Sequence, residues 1–123
     1  MVFAGKRVYE PEEPGDGFRI LVDRLWPRGV SKERADLGEW DKDVSPSPGL
    51  REWWNHDPAR MDEFAARYRA ELDANPAAEE LLALGREHER VTLLYGAHDH
   101  RVNHVTVLLD WLADHGAEVE RPA

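Results

Sequence analysis

The sequence contains no cysteine and no long apolar run. Without cysteine there is no disulfide, no thiolate nucleophile and no cysteine-ligated metal. No stretch approaches the roughly 20 apolar residues that span a membrane. The first residues also lack the apolar segment after a basic start that marks a secretory signal. We therefore predict a cytoplasmic protein that has no membrane partner.

Positive charge is scarce as well, because 16 Lys and Arg stand against 25 Asp and Glu, a net charge of −9 at pH 7. Residues 1–36 are balanced, with seven charges of each sign, whereas residues 37–123 carry nine positive and eighteen negative ones. This acidic body disfavours nucleic acid as a partner, since broad binding requires several phosphates to be neutralised. The balanced first part still allows a small anion to be bound. Composition indicates no particular oligomeric state.

The chain does contain enough apolar residues for one core. Its 123 residues, 41% of them hydrophobic, predict a single domain over residues 1–123, which at this size buries about two thirds of its unfolded surface. Two apolar runs, residues 18–23 and 91–95, predict buried strands. The second is apolar on both faces, as in a parallel sheet. Because helical patterns alternate with the strands, we predict an α/β fold with a mostly parallel central sheet covered by helices.

Four residues predict where helices begin. Ser31 is a candidate N-cap, Asp57 and Asn75 each precede a proline, which is a strong start signal, and Asn103 is the predicted first residue of the last helix. Shorter strands are predicted at residues 6–9 and 117–120, and residues 39–44 are a strand or an extended segment. The apolar stripes predict that the core includes Phe64, Tyr68, Leu72, Leu93, Leu108 and Leu112.

The first buried strand runs into segment 23–29, which has the sequence DRLWPRG. Ligands of α/β sheets bind beyond the carboxyl ends of strands, and an arginine fork bonds two oxygens of a phosphate or carboxylate at once. Arg24 and Arg28, beside Asp23, are therefore candidate anion ligands, with Trp26 as a pocket wall. The alternative is that both arginines pair with surface acids and that Trp26 belongs to the core.

A single histidine, His56, precedes the helix that Asp57 is predicted to cap. A position just outside a helix N-terminus disfavours the imidazolium, so that a neutral His56 could act as a base or a hydrogen-bond donor. A lone histidine is more often structural, and that alternative stays open. The neighbouring Trp53 and Trp54 are predicted to be core residues or pocket wall.

The second buried strand leads into a polar loop before the last predicted helix. Such a loop offers backbone N–H groups and a helix dipole to an anion. Three histidines of this region, His98, His100 and His104, suggest a metal site with Asp99, but they match no closed ligand set. We predict no metal and no cofactor, and keep a metal at these histidines as the alternative.

Together these motifs resemble the YeaO-like family, domain of unknown function number 488. The resemblance covers nearly the whole chain. Its most specific part is LWPRG at residues 25–29, supported by HDP at 56–58 and by Asn103-His104. The other matching segments are residues 6–9, 17–24, 30–33, Trp40, Asp43, 45–47, Phe64, 68–72 and 91–95.

The resemblance implies an α/β fold in a small cytosolic protein of bacterial type, and no established activity. Broader relatives carry cysteine near the positions of Leu94-Tyr95 and Asn103, so their thiol chemistry does not carry over to this chain. Acids are common in the family after Asp99, and the different loop here weakens His98 and His100 as metal ligands. The positions shared with the family pattern become the predicted site: Asp23, Arg24, Arg28, His56, Tyr95, Asp99, Asn103 and His104.

Three functions stay open. In the first, the domain binds, and in one version transforms, a small anionic or phosphorylated ligand; His56 or His104 then moves protons. In the second, it is a non-catalytic regulatory or protein-interaction module whose tryptophan-rich segments dock a partner. The third, association with nucleic acid, is opposed by the acidic body. The first function predicts that one concave anion site brings together Arg24, Arg28, His56, Asn103 and His104, because loops that follow parallel strands share one edge of the sheet.

Overall fold

The computed structural model describes residues 1–121 and contains one five-stranded sheet. The strands in chain order are β1 (Val2–Arg7), β2 (Phe18–Leu21), β3 (Glu39–Trp40), β4 (Arg90–Tyr95) and β5 (Glu118–Glu120). Their order across the sheet is β3-β2-β4-β1-β5, and every neighbouring pair is parallel. The predicted α/β fold with a parallel central sheet is confirmed.

The two apolar runs form neighbouring strands at the centre of this sheet, as predicted. Ile20 of β2 lies opposite Leu93 of β4, and Gly5 of β1 lies opposite the same Leu93 on the other side. Strand β2 ends two residues earlier than predicted, although the N–H of Val22 still donates to the carbonyl of Leu94 at 3.1 Å. The chain then leaves the sheet, which places Asp23 in the loop beyond it.

The first strand differs from its prediction. It occupies Val2–Arg7 and not residues 6–9, because Val2 and Phe3 already pair with β4 on one side and with β5 on the other. Strand β5 lies at the edge, as expected for residues 117–120, and β3 is the short paired part of the extended segment 39–44.

Five helices connect the strands: α1 (Lys32–Ala35), α2 (Pro48–Trp54), α3 (Met61–Asp73), α4 (Pro76–Gly85) and α5 (His104–Asp114). The predicted caps form at α1 and α4, where the side chains of Ser31 and Asn75 accept hydrogen bonds from the first turn. The last helix starts at His104, one residue later than predicted, because Asn103 is its N-cap. Asp57 caps a short 3-10 turn, Pro58–Arg60, that leads into α3. Among residues 1–121, no helix has both the length and the apolar composition needed to cross a membrane.

The sheet separates two apolar clusters of unequal size. The larger contains Ile20, Leu93 and Tyr95 from the strands, with Val22 just after β2, and packs them against α2, α3, α4 and α5. The smaller contains Leu21 and Leu94, which point the other way, with Ala35 of α1. Burying a large apolar side chain contributes roughly 1.5–3 kcal/mol. All six predicted core residues lie in the larger cluster and are exposed by 1% or less: Phe64, Tyr68, Leu72, Leu93, Leu108 and Leu112.

The connections leave β2 and β4 in opposite directions. After β2 the chain passes over the face covered by α1 to reach β3, on one side of the sheet. After β4 it passes over the other face, through α5, to reach β5 on the opposite side. A crevice between two such strands, at their carboxyl ends, is the usual ligand position in α/β sheets.

Candidate functional site

A cavity of about 470 Å³ lies in this crevice, within the size range of small-molecule sites. The loop after β2 contributes one wall and the start of the loop after β4 contributes another. Helix α2, the residues that flank it and the first residue of α5 close the rest. The lining residues are Asp23, Arg24, Leu25, Ser45, Pro46, Arg51, Glu52, Trp54, Asn55, His56, Gly96, Ala97 and His104.

Asp23 joins the two loops at the base of the cavity. Its Oδ2 accepts a hydrogen bond from the N–H of Gly96 at 2.8 Å, and its carbonyl accepts one from the indole N–H of Trp40 at 2.8 Å. A Cβ atom on residue 96 would lie 3.1 Å from the same Oδ2, so glycine allows this close approach. The carboxylate is thereby committed to holding the loops together.

His104 is buried beside Asp23 at the start of α5. Its Nε2 lies 2.9 Å from the carbonyl oxygen of Val22 and 3.4 Å from Oδ1 of Asp23. A carbonyl can only accept, so Nε2 carries a proton and donates it. Proton transfer by this ring would therefore have to use Nδ1, and its Nε2 holds the loop after β2 against α5.

Two arginines supply the positive charge of the cavity. Arg24 lies in the loop after β2, and Arg51 lies on α2; both are partly buried. Within residues 1–121 neither forms a salt bridge. The Nε of Arg24 is buried without an acceptor, and its terminal nitrogen makes only a long contact, 3.4 Å, to the carbonyl of Pro46. A buried donor without a partner costs free energy. The terminal nitrogens of this guanidinium are available to donate hydrogen bonds to an oxygen of a ligand.

His56 lies at the rim of the cavity in a left-handed backbone conformation, with φ of 54°. The preceding Asn55 is also left-handed and ends α2. Two consecutive non-glycine residues in this region store strain of the kind found at functional sites. Partial burial, followed by the charges of His104 and Arg51, lowers the pKa of His56 below its usual 6.5 against the opposing effect of Asp23. These effects favour the neutral form of the ring.

Of the sequence-predicted site residues, four line the cavity: Asp23, Arg24, His56 and His104. The others serve different purposes. Asn103 caps α5 and donates from Nδ2 to the carbonyl of Asp99 at 2.8 Å, and Asp99 accepts the N–H groups of Arg101 and Val102. Both side chains are therefore used by their own loop and helix.

Trp26, Arg28 and Tyr95 also lie outside this cavity. The indole of Trp26 donates to the carbonyl of Val30 at 2.7 Å and packs edge-on against Trp40, so it belongs to the smaller apolar cluster. Arg28 is exposed, and only its carbonyl has a described contact, with the hydroxyl of Tyr9. The hydroxyl of Tyr95 is buried without a partner, and burial raises its pKa to about 12.

Arg51, Ser45 and Glu52 line the cavity but were not predicted from the sequence as site residues. Arg51 carried a weak signal, because Ser47-Pro48 is a helix start and places residue 51 one turn into α2, but nothing local indicates which side of that helix faces the cavity. Ser45 donates its hydroxyl proton to the carbonyl of Lys42 at 2.5 Å.

Across Met1 to Arg121, no three His, Asp or Glu side chains are arranged to hold a metal ion.

Comparisons with known proteins find relatives by sequence. A family model described as the inactive DUF488-N3 subclade matches residues 2–123. The uncharacterized protein YeaO of Escherichia coli strain K12 is 45% identical over 107 residues, which cover 87% of this chain and 93% of that protein. Uncharacterized proteins of Mycobacterium tuberculosis and Mycobacterium bovis are 54% identical over 78 residues, covering 63% of this chain and 66% of theirs. No solved structure matches the chain.

Proposed function

Because this chain belongs to the DUF488 family, in the subclade whose model is described as inactive, we propose that it binds a small phosphate-bearing anion without transforming it. The binding site is the cavity between the carboxyl ends of β2 and β4. The ligand is held by Arg24 and Arg51, and His104 and Asp23 keep the cavity in shape.

The unpaired guanidinium of Arg24 carries this proposal. Its Nε is buried without an acceptor, although the chain has 25 acidic residues that could have supplied one. Buried cations in folded proteins are normally paired. The terminal nitrogens of Arg24 make only the long contact to Pro46, so an anionic oxygen bound in the cavity would accept hydrogen bonds from them.

Three further features support an anion at this position. Within residues 1–121, Arg51 adds a second cation of the cavity lining that has no salt-bridge partner. Helix α5, eleven residues long, begins at the cavity with His104, and a helix N-terminus favours negative charge. The cavity also occupies the crevice where the connections of β2 and β4 diverge, the usual ligand position in this fold class.

Thiol and hydroxyl nucleophiles are absent from this cavity or already engaged, which leaves His56 and Nδ1 of His104 as its proton-transfer groups. The chain has no cysteine, and the hydroxyl of Ser45 donates to a backbone carbonyl. Nε2 of His104 is likewise committed to Val22. A nucleophile needs an adjacent base within hydrogen-bond distance, and Ser45 has a carbonyl in that position. These commitments favour binding over turnover.

Calorimetric titration with inorganic phosphate tests the proposal. The unchanged protein should bind phosphate, and Arg24→Ala should weaken binding about tenfold or more, since a hydrogen bond to a charged group contributes roughly 1.5–3 kcal/mol. Arg28→Ala is the matched control, because it removes the same charge from the same loop outside the cavity. Its affinity should stay within about twofold of the unchanged protein.

Two results would count against the proposal. If the unchanged protein gives no binding heat with phosphate, the cavity is not a phosphate site. If both variants weaken binding equally, the attraction is a diffuse effect of net charge. Continuous release of phosphate from 4-nitrophenyl phosphate would contradict binding without turnover.

A second candidate function rests on Leu25, which lines the cavity yet is 61% exposed. It is one of two large hydrophobic side chains exposed in the described part of the chain, and as part of the cavity lining it is available to a second molecule. The non-catalytic interaction module therefore becomes the preferred function if phosphate does not bind. In that case Leu25→Ser, but not Arg24→Ala, should weaken capture of the partner.

A further inference from the structure

A second cavity, of about 290 Å³, adjoins the first. The two share His56, Gly96 and Ala97, so that His56 lies on the boundary between them. The remaining lining residues of the second cavity are Pro58, His98, Asp99 and Val102. The two cavities therefore form one divided site along the loop that follows β4.

The two compartments differ in chemistry. Arg24 and Arg51 line the first, whereas no lysine or arginine lines the second. Its walls are the apolar Pro58, Ala97 and Val102 with the imidazoles of His56 and His98. Asp99 adds one carboxylate, which is kept ionised because the backbone N–H groups of Val102 and Arg101 donate to its Oδ1 at 3.0 and 2.8 Å and lower its pKa. Apolar and planar walls of this kind suit the face of an aromatic ring.

The loop that forms the second compartment is held from both sides. The Nε of Arg7 donates to the carbonyl of Ala97 at 2.8 Å, and Nδ2 of Asn103 donates to the carbonyl of Asp99 at 2.8 Å. These long-range and local bonds order the compartment before any ligand arrives. A preformed pocket avoids the entropy cost of ordering a loop on binding.

The boundary residue is suited to contact both parts of a ligand. The neutral ring of His56 can donate to a phosphate oxygen from one nitrogen and present its face to an aromatic group. Its left-handed backbone positions the ring at the rim that the two cavities share. The ring also packs against the indole of Trp54, with the ring centroids 4.7 Å apart.

We propose that the natural ligand is an aromatic or heteroaromatic phosphate monoester, with its phosphate beside Arg24 and Arg51 and its ring in the second compartment. This inference rests on the proposed phosphate site and specifies the class of molecule that occupies it. The ester oxygen would cross the boundary at His56.

The test compares methyl phosphate with phenyl phosphate by calorimetric titration of the unchanged protein. The two esters carry the same phosphate group and differ in the ring. Phenyl phosphate should bind about tenfold more tightly or better, since burying a ring of this size in an apolar pocket is strongly favourable. Val102→Phe, which fills the second compartment, should bring the ratio of the two affinities close to one.

Arg101→Ala is the matched control, because it changes the neighbouring exposed residue, which lines neither compartment, and should keep the ratio of the unchanged protein. If methyl and phenyl phosphate bind equally well, the second compartment takes no ring, while the phosphate site stands. If neither ester nor inorganic phosphate binds, both proposals fail. The comparison in the unchanged protein decides the matter even if Val102→Phe does not fold.

Discussion

Two groups of buried or partly buried charges in this protein have opposite relations to their surroundings. The first group, the paired cluster, consists of Asp16, Lys6 and Arg19. Both carboxylate oxygens of Asp16 accept from Nζ of Lys6 at 3.0 Å, and its Oδ2 accepts from a terminal nitrogen of Arg19 at 2.5 Å. The cavity cations, Arg24 and Arg51, have no salt-bridge partner within the described chain.

The difference separates charges that build the fold from charges that are available to a ligand. Arg19 is 3% exposed, and its Nε and a terminal nitrogen also donate to the carbonyl of Ala35. Its donors are therefore satisfied by acceptors within the protein. Arg24, in contrast, retains a buried donor without an acceptor. In a protein with a net charge of −9, an unpaired cation in a cavity is a stronger indication of a binding site than the mere presence of arginine.

The largest expected effect comes from removing the centre of the paired cluster. Asp16→Asn keeps the shape but removes the most buried countercharge of Lys6 and Arg19, leaving only the more exposed Glu13 and Glu12 nearby, which costs up to roughly 3–5 kcal/mol in such pairs. Urea unfolding at neutral pH measures the loss. Glu13→Gln is the control, because its carboxylate also reaches Lys6, at 3.3 Å, but its side chain is 73% exposed. A loss below about 1 kcal/mol for Asp16→Asn would mean that the cluster does not stabilise the fold.

The paired cluster should also affect how the free energy of unfolding falls at acid pH. Burial opposes ionisation of Asp16, but hydrogen bonds from the Glu13 backbone, Lys6 and Arg19 outweigh it and lower the carboxyl pKa. A lowered pKa in the folded state means that the contribution is complete above the unfolded pKa, near 3.9, and is lost as pH falls through the folded pKa. The stability difference between the unchanged protein and Asp16→Asn should therefore shrink below about pH 4.

Replacing arginine by methionine should change the free energy of unfolding in opposite directions in the two groups. Arg24→Met keeps an apolar stem and removes the unpartnered donor, so it should raise the free energy of unfolding by about 1 kcal/mol. Arg19→Met should lower it, because it strips Asp16 of a partner. Denaturation midpoints of the two variants measure the contrast. If both variants lose stability equally, Arg24 is as structural as Arg19 and the comparison breaks down.

The smallest effect concerns a third environment, in which a carboxylate has acidic neighbours. Burial, and then the charges of Glu39 and Asp43, raise the pKa of Asp41 to about 6. The folded state thus binds more protons, so this group lowers stability as pH rises from the ordinary carboxyl pKa towards 6. Asp41→Asn should be more stable at pH 7 by less than about 1 kcal/mol, because the site is partly exposed and screened.

Thermal unfolding at pH 3.5 and pH 7 measures this pH dependence. The gain for Asp41→Asn should vanish at the lower pH, where both side chains are neutral, and asparagine keeps the acceptor for the N–H of Val44. An equal gain at both values would contradict a titrating carboxylate as its cause.

Much of the fold could be predicted because its causes are local. The apolar runs of β2 and β4 indicate buried parallel strands, and a short acceptor side chain at Ser31, Asn75 or Asn103 satisfies the free N–H groups of a helix start wherever that helix packs. Boundaries were less accurate where pairing with a distant strand decides them, as at β1, whose first residues are held by β4 and β5.

The residues of the site can likewise be divided into those that local patterns place and those that tertiary contacts place. The sequence by itself determined that Asp23, Arg24 and His104 follow strand ends on one edge of the sheet, since parallel strands and their loops follow from local patterns. Tertiary structure alone decided that Arg24 and not Arg28 lines the cavity, that Arg51 of α2 joins it, and that Asn103 is used by its own helix. These outcomes depend on bonds between residues far apart in the chain, such as Gly96 to Asp23, which set the direction of each loop and leave no local signature.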